Sequence, residues 1–404
     1  MRRFTSIGLK RTPDYWLIAT VVVLVVLGII FVYSASSWQS FVGTDFKTDT
    51  LVLRRHVIRL LLGTVGLIIL SQIDYHAWQD WRIALLILAG PLSMLLFLTL
   101  KSGGSGAQRW FRATVEGSSI QPSEFAKLAV ILYIAAWLSS KKDKIHDVLE
   151  GVMPFALLIG AAAGLIVVQP HFSATALVVL TTVLMYYVAG GDLKHLAILG
   201  AFAAISFIPI VARTYYASSR WTDFWSVVQE DTTAVGSASE QYDYIENALK
   251  GKGIFGDGPG GGDYKEMFRQ AAYTDFILAV AGEELGLFGT WLIMGLFCFL
   301  GYRGLKIAAE APDDFGALLA TGITAWLIIQ ALVHGLVNAR LGPILGMHLP
   351  FISYGGSALI TEMAGIGLLI SISKSAMREK ESRHARHAFR RENGRPRVSA
   401  TRRR

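Results

Sequence analysis

A single cysteine, Cys298, stands in 404 residues, and it lies inside an apolar run. That excludes a disulfide framework and a cysteine-based metal site. Charge is scarce as well: charged residues make up 17% of the chain and hydrophobic ones 53%, with a mean hydropathy of +0.45. A soluble domain carries about 25% charged residues, so a chain clothed wholly in water is excluded. No His/Cys cluster has metal-ligand spacing. The one glycine-dense run, Gly251-Lys-Gly-Ile-Phe-Gly-Asp-Gly-Pro-Gly-Gly-Gly262, has no Gly-Lys-Ser/Thr after it and no predicted strand before it, which excludes a P-loop. It reads instead as a flexible hinge or a close-approach loop. The formal net charge is +8, but the basic residues concentrate at the two ends. Anchoring beside anionic cytoplasmic lipid explains them more simply than nucleic acid does.

What the chain does have is long apolar runs. A span needs about 20 predominantly apolar residues, and ten segments qualify, at about 15–34, 55–73, 80–100, 121–139, 151–168, 172–189, 195–212, 275–300, 314–339 and 352–374. The expected fold class is therefore an all-α integral membrane protein of about ten transmembrane helices. Basic flanks and a small-residue stretch, Ser34-Ala35-Ser36, give the first segment the look of a signal peptide. Its length favours an uncleaved anchor. A stub, 1–14, precedes the membrane domain, 15–374; the basic tail, 375–404, is poor in apolar residues and expected to be disordered.

Orientation follows from lysine and arginine near the spans. Lys141, Lys142 and Lys144 fall between spans 4 and 5, Arg303 and Lys306 between spans 8 and 9, and the tail ends in arginines. With ten spans all of these share one side, which places both termini in the cytoplasm. The long segment at about 213–274 then lies on the outer face, and a loop far longer than about 12–15 residues is functional or disordered.

Polar residues at membrane depth are costly and need reasons. Glu124 and Lys127, in the helix start Gln121-Pro-Ser-Glu-Phe-Ala-Lys127, are spaced i, i+3 and can pair. Either they form a neutralised structural pair or they line a site for a polar head group. Arg109, Arg220 and Arg340 fall on the outer side, where the positive-inside rule does not expect them. They are interfacial anchors beside Trp110 and Trp221, or they grip phosphate. Thr274 and Asp275 open span 8 as helix caps, or Asp275 is a carboxylate at the outer surface that serves as general base or divalent-ion ligand. Glu283 and Glu284 in span 8, Gln330 and His334 at i, i+4 in span 9, and Glu362 in span 10 are expected to face the bundle interior. Leu349-Pro-Phe-Ile-Ser-Tyr-Gly-Gly-Ser357 combines Pro350, Ser353, Gly355 and Gly356. Such a stretch permits non-helical backbone at membrane depth, as a cavity lining or a packing notch.

These motifs, with Val32-Tyr-Ser-Ala-Ser36, Ala107-Gln-Arg-Trp110, Gln169-Pro-His-Phe-Ser173, Thr274-Asp-Phe276, Gly282-Glu-Glu-Leu-Gly286, Tyr302-Arg-Gly-Leu-Lys-Ile-Ala308 and Ala311-Pro-Asp-Asp-Phe-Gly316, occur in order. Over about 12–374 the chain resembles the SEDS family (shape, elongation, division and sporulation). Its Pro-Phe-Ile-Ser-Tyr-Gly-Gly-Ser form leans toward the FtsW and SpoVE members rather than RodA. The resemblance implies a peptidoglycan glycosyltransferase of the bacterial cytoplasmic membrane. Such an enzyme polymerises lipid II and releases undecaprenyl diphosphate, in cell division or cell-shape maintenance. It implies that Asp275 matches the family's essential aspartate, as general base or as ligand of a divalent cation, Mg2+ or Mn2+. Arg109, Glu124 and Lys127 match polar positions of the family's central cavity. The implied partners are lipid II, a class B penicillin-binding protein contacting spans 8 and 9, and other divisome or elongasome membrane proteins. The chain departs from the family pattern at Phe268-Arg-Gln-Ala-Ala-Tyr273 and Gln330-Ala-Leu-Val-His334. A lipid II flippase and a weakly active scaffold for a transpeptidase are the alternatives.

Overall fold

The computed structural model describes residues 12–43, 47–101, 110–112, 119–169, 171–201, 205, 215–229, 237–250, 252–262, 267 and 270–393. The apolar runs form helices because a helix satisfies every backbone polar group within its own segment, which lipid requires. They are α1 (Tyr15–Gly43), α2 (Leu51–Gln72), α3 (Trp81–Lys101), α4 (Pro122–Ser140), α5 (Met153–Val168) and α6 (Phe172–Val188). Two short helices, α7 (Tyr215–Val228) and α8 (Ser237–Leu249), and a single turn, α9 (Gln270–Tyr273), lead to α10 (Ile277–Glu310), α11 (Asp314–Asn338) and α12 (Gly356–Asn393). A two-residue ribbon pairs Phe111 with Ile120 and Arg112 with Ser119 in antiparallel register.

Seven of the described helices are long and apolar enough to cross a membrane. The protein is a multi-pass membrane protein. The ten expected segments include three more. One is α2, whose first turns carry Arg54, Arg55 and Arg59; one is the 17-residue α6; and the third is the segment 195–212, helical to 201 and mostly outside the described residues. Burial separates centre from rim: 72% of the spanning windows of α4 and α11 is buried and 89% of that of α12, against 22% for α3. Helices α4, α11 and α12 thus form the middle of the bundle, with α2 packed along α12 and α10 along α11.

The glycine-dense segment is a close-approach loop, and α10 is broken to receive it. Gly286 has φ 66° and ψ −159°. Across this break Asp257 N donates to Glu283 O (3.0 Å) and Gly258 N to Glu284 O (2.9 Å), while Leu287 N donates to Gly253 O (3.2 Å) and Phe288 N to Ile254 O (3.0 Å). A Cβ on Gly286 would meet Gly256 N at 2.5 Å, so the two backbones touch only because both residues are glycine. The loop supplies partners for the amides and carbonyls that the break removes from the helical ladder.

Three boundaries differ from expectation. Helix α1 runs on to Gly43, and α10 to Glu310. The stretch Tyr302–Ala308, expected beside a cytoplasmic loop, is thus helix, and Arg303 forms an ion pair with Asp14. The tail, expected to be disordered from 375, is helical as far as Asn393, where α12 ends. Strong helix formers predominate over 376–393, and Gly394 and Pro396 come only afterwards in the sequence.

Candidate functional site

One large cavity, about 960 Å³, opens at the end of the bundle where α4 begins. Arg55 and Arg59 line it from the first turns of α2, Glu124 from α4, and Asp275 from the turn before α10. His348, Gly355 and Gly356 come from the segment leading into α12.

Asp275 is held by its backbone. Its amide and that of Phe276 both donate to Ala271 O, at 3.0 and 2.9 Å. Asn338 of α11 donates from Nδ2 to Asp275 O (3.2 Å) and accepts at Oδ1 from Ala279 N (3.1 Å). Asn338 therefore caps α10, and the expected capping by Thr274 or Asp275 is absent; Thr274 Oγ1 donates back to Gln270 O at 3.0 Å instead. The half-buried carboxylate of Asp275 is left facing the cavity, and a Cβ built on Gly346 would stand 3.8 Å from Oδ2. Burial pushes the Asp275 carboxyl above the usual carboxylate range, while His348 and Arg220 pull it down.

Beneath the cavity, Lys127 Nζ lies 2.8 Å from Glu124 Oε2, and both side chains are buried. Lys127 also reaches Gln330 Oε1 (3.4 Å) and stands 5.3 Å from the Trp326 ring centre. His348 Nε2 is 3.0 Å from Glu362 Oε1, and Glu362 Oε2 accepts from Phe351 N at 3.0 Å. That last bond holds Phe351 at φ 63°, in the tight turn that delivers Tyr354. On the α2 wall the Arg59 guanidinium lies 4.7 Å from the Tyr354 ring centre. A Cβ on Gly356 would sit 3.2 Å from Arg59 Cζ, so glycine makes room for the cation. Arg59 Nη1 is buried and has no hydrogen-bond partner among the described residues. A planar cation stacked in a cavity wall with a donor to spare is suited to an anion.

The sequence-derived candidates divide. Asp275, Glu124, Gly355, Gly356 and Arg220 line the cavity, and Arg220 also donates to Ile344 O. Lys127 and Gln330 lie just below. His334 is buried against Met347 O at 2.8 Å, and Ser353 Oγ accepts from Leu349 N at 2.8 Å; both brace the α11–α12 segment rather than line the cavity. Arg340 lies outside it and pairs with Glu246. Glu283 and Glu284 lie under the glycine-dense loop, against Lys252 (3.8 Å) and Ser34 respectively. Arg109 falls outside the described residues. Sequence reasoning missed Arg55, Arg59 and His348. The arginines carried a signal: spaced i, i+4, they share one helix face at the end of span 2 assigned to the outer side, where such charges are unexpected. His348 had none, since only the fold of its loop brings it to the cavity.

Among the described residues no group of three or more His, Cys, Asp or Glu side chains is placed to hold a metal. Of the two cavity carboxylates Glu124 is paired with Lys127, which leaves Asp275, and a single carboxylate is a donor set that suits an ion such as Mg2+ that keeps several water ligands.

Fold and cavity define a class: a helical membrane protein with an end-on cavity in which the Asp275 and Glu124 carboxylates face several cations. The family described as cell cycle protein, comprising FtsW, RodA and SpoVE, matches residues 15–378. The chain belongs to this family, the SEDS proteins. It is 36% identical to the probable peptidoglycan glycosyltransferase FtsW of Trichlorobacter lovleyi, over 89% of this chain and 93% of that one. It is 33% identical to stage V sporulation protein E of Bacillus subtilis, over 90% and 98%. Among solved structures it is similar to a chain of a peptidoglycan synthase complex that coordinates polymerization and crosslinking, with a TM-score of 0.71, 25% identity, and 90% and 98% of the chains covered. Thermus thermophilus RodA shares the fold, with a TM-score of 0.63 and 23% identity over 90% and 98% of the chains.

Proposed function

We propose that this chain is a peptidoglycan glycosyltransferase that polymerises lipid II and releases undecaprenyl diphosphate. The observation that carries the reading is the joining, in one cavity, of the Asp275 carboxylate with the cations Arg55, Arg59 and Arg220 above the buried Glu124–Lys127 pair. The 4-hydroxyl of one lipid-linked sugar attacks the anomeric carbon of another. As the new O4–C1 bond forms, Asp275 takes the hydroxyl proton, and the C1–O bond to the diphosphate breaks with its electron pair leaving on the phosphate. Cations placed where that charge develops stabilise the transition state. Arg59, stacked on Tyr354 in the cavity wall, is one of these cations. Glu124 holds the Lys127 side chain in place through their ion pair. In its alternative role, Asp275 would be the residue that holds a divalent cation, Mg2+ or Mn2+, and that ion would offset charge on the leaving group.

The cavity then faces the outer side of the bacterial cytoplasmic membrane, with both termini in the cytoplasm. Lys142 with Asp314, and Arg303 with Asp14, lie at the end of the bundle opposite the cavity, which is the cytoplasmic end by the positive-inside rule. A class B penicillin-binding protein, a transpeptidase, is the proposed partner, packed against α10 and α11. A flippase needs a polar path through the bilayer, yet below Lys127 the buried side chains of α4 include Val130, Ile131, Ile134, Ala135 and Leu138. The test reconstitutes the purified chain in liposomes with lipid II. Glycan polymer supports the proposal; lipid II crossing the bilayer unpolymerised, with the cognate transpeptidase present, supports the transporter.

A further inference from the structure

The polar group under the cavity is unbalanced without His348. Glu124 and Glu362 bring two carboxylates; Lys127 brings one cation. His348 Nε2 stands 3.0 Å from Glu362 and 3.8 Å from Glu124, and an imidazolium there makes the group neutral. The same nitrogen is 2.9 Å from Gln330 Nε2, and it serves only one of these neighbours. Gln330 Oε1 accepts from Trp326 Nε1 (2.9 Å) and Lys127 (3.4 Å), so its Nε2 is the donor side. That amide has two other acceptors, His348 O at 3.1 Å and Glu362 at 3.4 Å. The ring N–H therefore goes to Glu362, since a charge-assisted bond is about twice as strong as a neutral one. With 17% of its side chain open, His348 forms part of the cavity wall, facing the side that carries Asp275, with Lys127, His171 and His334 the other titratable groups around it. A Cβ on Gly355 would touch His348 Cδ2 at 3.2 Å, so Gly355 leaves the ring its place.

We propose that His348 is a substrate-binding cation: protonated, anchored through Nε2 to Glu362, and presenting its ring to the lipid diphosphate in the cavity that Arg59 also lines. This rests on the lipid II reading and assigns a further residue to it. It is a binding role, so it acts on affinity more than on turnover.

The test uses the full chain in detergent with two variants, His348→Gln, which keeps a hydrogen bond without the charge, and His348→Lys, which keeps the charge. The Kd for undecaprenyl diphosphate and the KM and kcat for lipid II are measured, with thermal melts as the folding control. His348→Gln is expected to raise Kd and KM about tenfold, the size of one lost charged contact, with kcat changed less than about threefold. His348→Lys is expected to recover most of that affinity. Unchanged Kd and KM in a folded His348→Gln protein overturns the assignment. So does loss of kcat at constant KM, or a folded His348→Lys protein as weak as His348→Gln. Because Kd needs no turnover, a wild-type chain that binds the diphosphate lipid yet makes no polymer with the cognate transpeptidase present refutes the polymerase reading and leaves the His348 assignment to be decided by Kd.

Discussion

Replacing Lys127 with methionine leaves the buried Glu124 carboxylate without its nearest cation and the polar group under the cavity one positive charge short. The side chains are similar in length, so packing against Trp326 changes little, but Glu124 loses the ammonium 2.8 Å away while 4% of its own side chain is exposed. Breaking a buried pair this way costs about 3–5 kcal/mol. The loss has a ceiling, because Glu124 escapes by taking up a proton. For a carboxyl with an ordinary value near 4.3 that costs about 3.7 kcal/mol at pH 7 and about 1 kcal/mol at pH 5. The destabilisation of Lys127→Met should therefore shrink by about 2–3 kcal/mol on acidification, since the stranded carboxylate destabilises the fold only while the solution keeps it ionised. The double variant Glu124→Gln/Lys127→Met removes both charges and should be close to wild type in stability at either pH, while still failing to polymerise lipid II. Equilibrium unfolding in detergent at pH 7 and pH 5, with a parallel polymerisation assay, measures all of this. A Lys127→Met penalty that is equal at both pH values, or a double variant no more stable than the single, would refute the reasoning.

Arg59→Ala should raise the KM for lipid II roughly tenfold with its melting temperature nearly unchanged, because a cavity-facing charged contact is lost; an unchanged KM assigns the Arg59–Tyr354 stack to packing alone. Burial raises the Asp275 carboxyl, and a base works ionised, so kcat/KM should fall as pH drops through a point above the ordinary aspartate value of about 3.9. A rate flat down to about pH 4 speaks against Asp275 as base. Gly286→Ala puts a side chain at φ 66° and 2.5 Å from Gly256 N, and should destabilise by about 1–3 kcal/mol in a thermal melt.

The parts of the site nearest to regular helix were the most legible. Glu124 and Lys127 share a face by helical spacing and Asp275 stands at a span boundary, so pattern marks them as candidates, while their roles come from the resemblance to the SEDS family. The capping role offered to Asp275 went instead to Asn338, 63 residues away in sequence, a partner no local pattern discloses. Glu283 and Glu284 lie inside the bundle as expected, but Glu283 meets Lys252 of the glycine-dense loop and Glu284 meets Ser34 of α1, so neither lines the cavity. A glycine in an apolar run does not announce its φ, so that break was invisible. His348 illustrates the limit: its neighbours Glu124, Gln330 and Glu362 come from three different helices, and only the turn at Phe351 gathers them.

The central claim is that Asp275 and the cation-lined cavity polymerise lipid II. The most direct measurement is electrophoresis of the products made by the purified chain from lipid II and Mg2+ or Mn2+, beside Asp275→Ala at matched folded concentration. The account predicts long glycan strands from the wild type and at least about a hundredfold less from the variant, the scale of a lost general base. Strands made equally well by Asp275→Ala would contradict it.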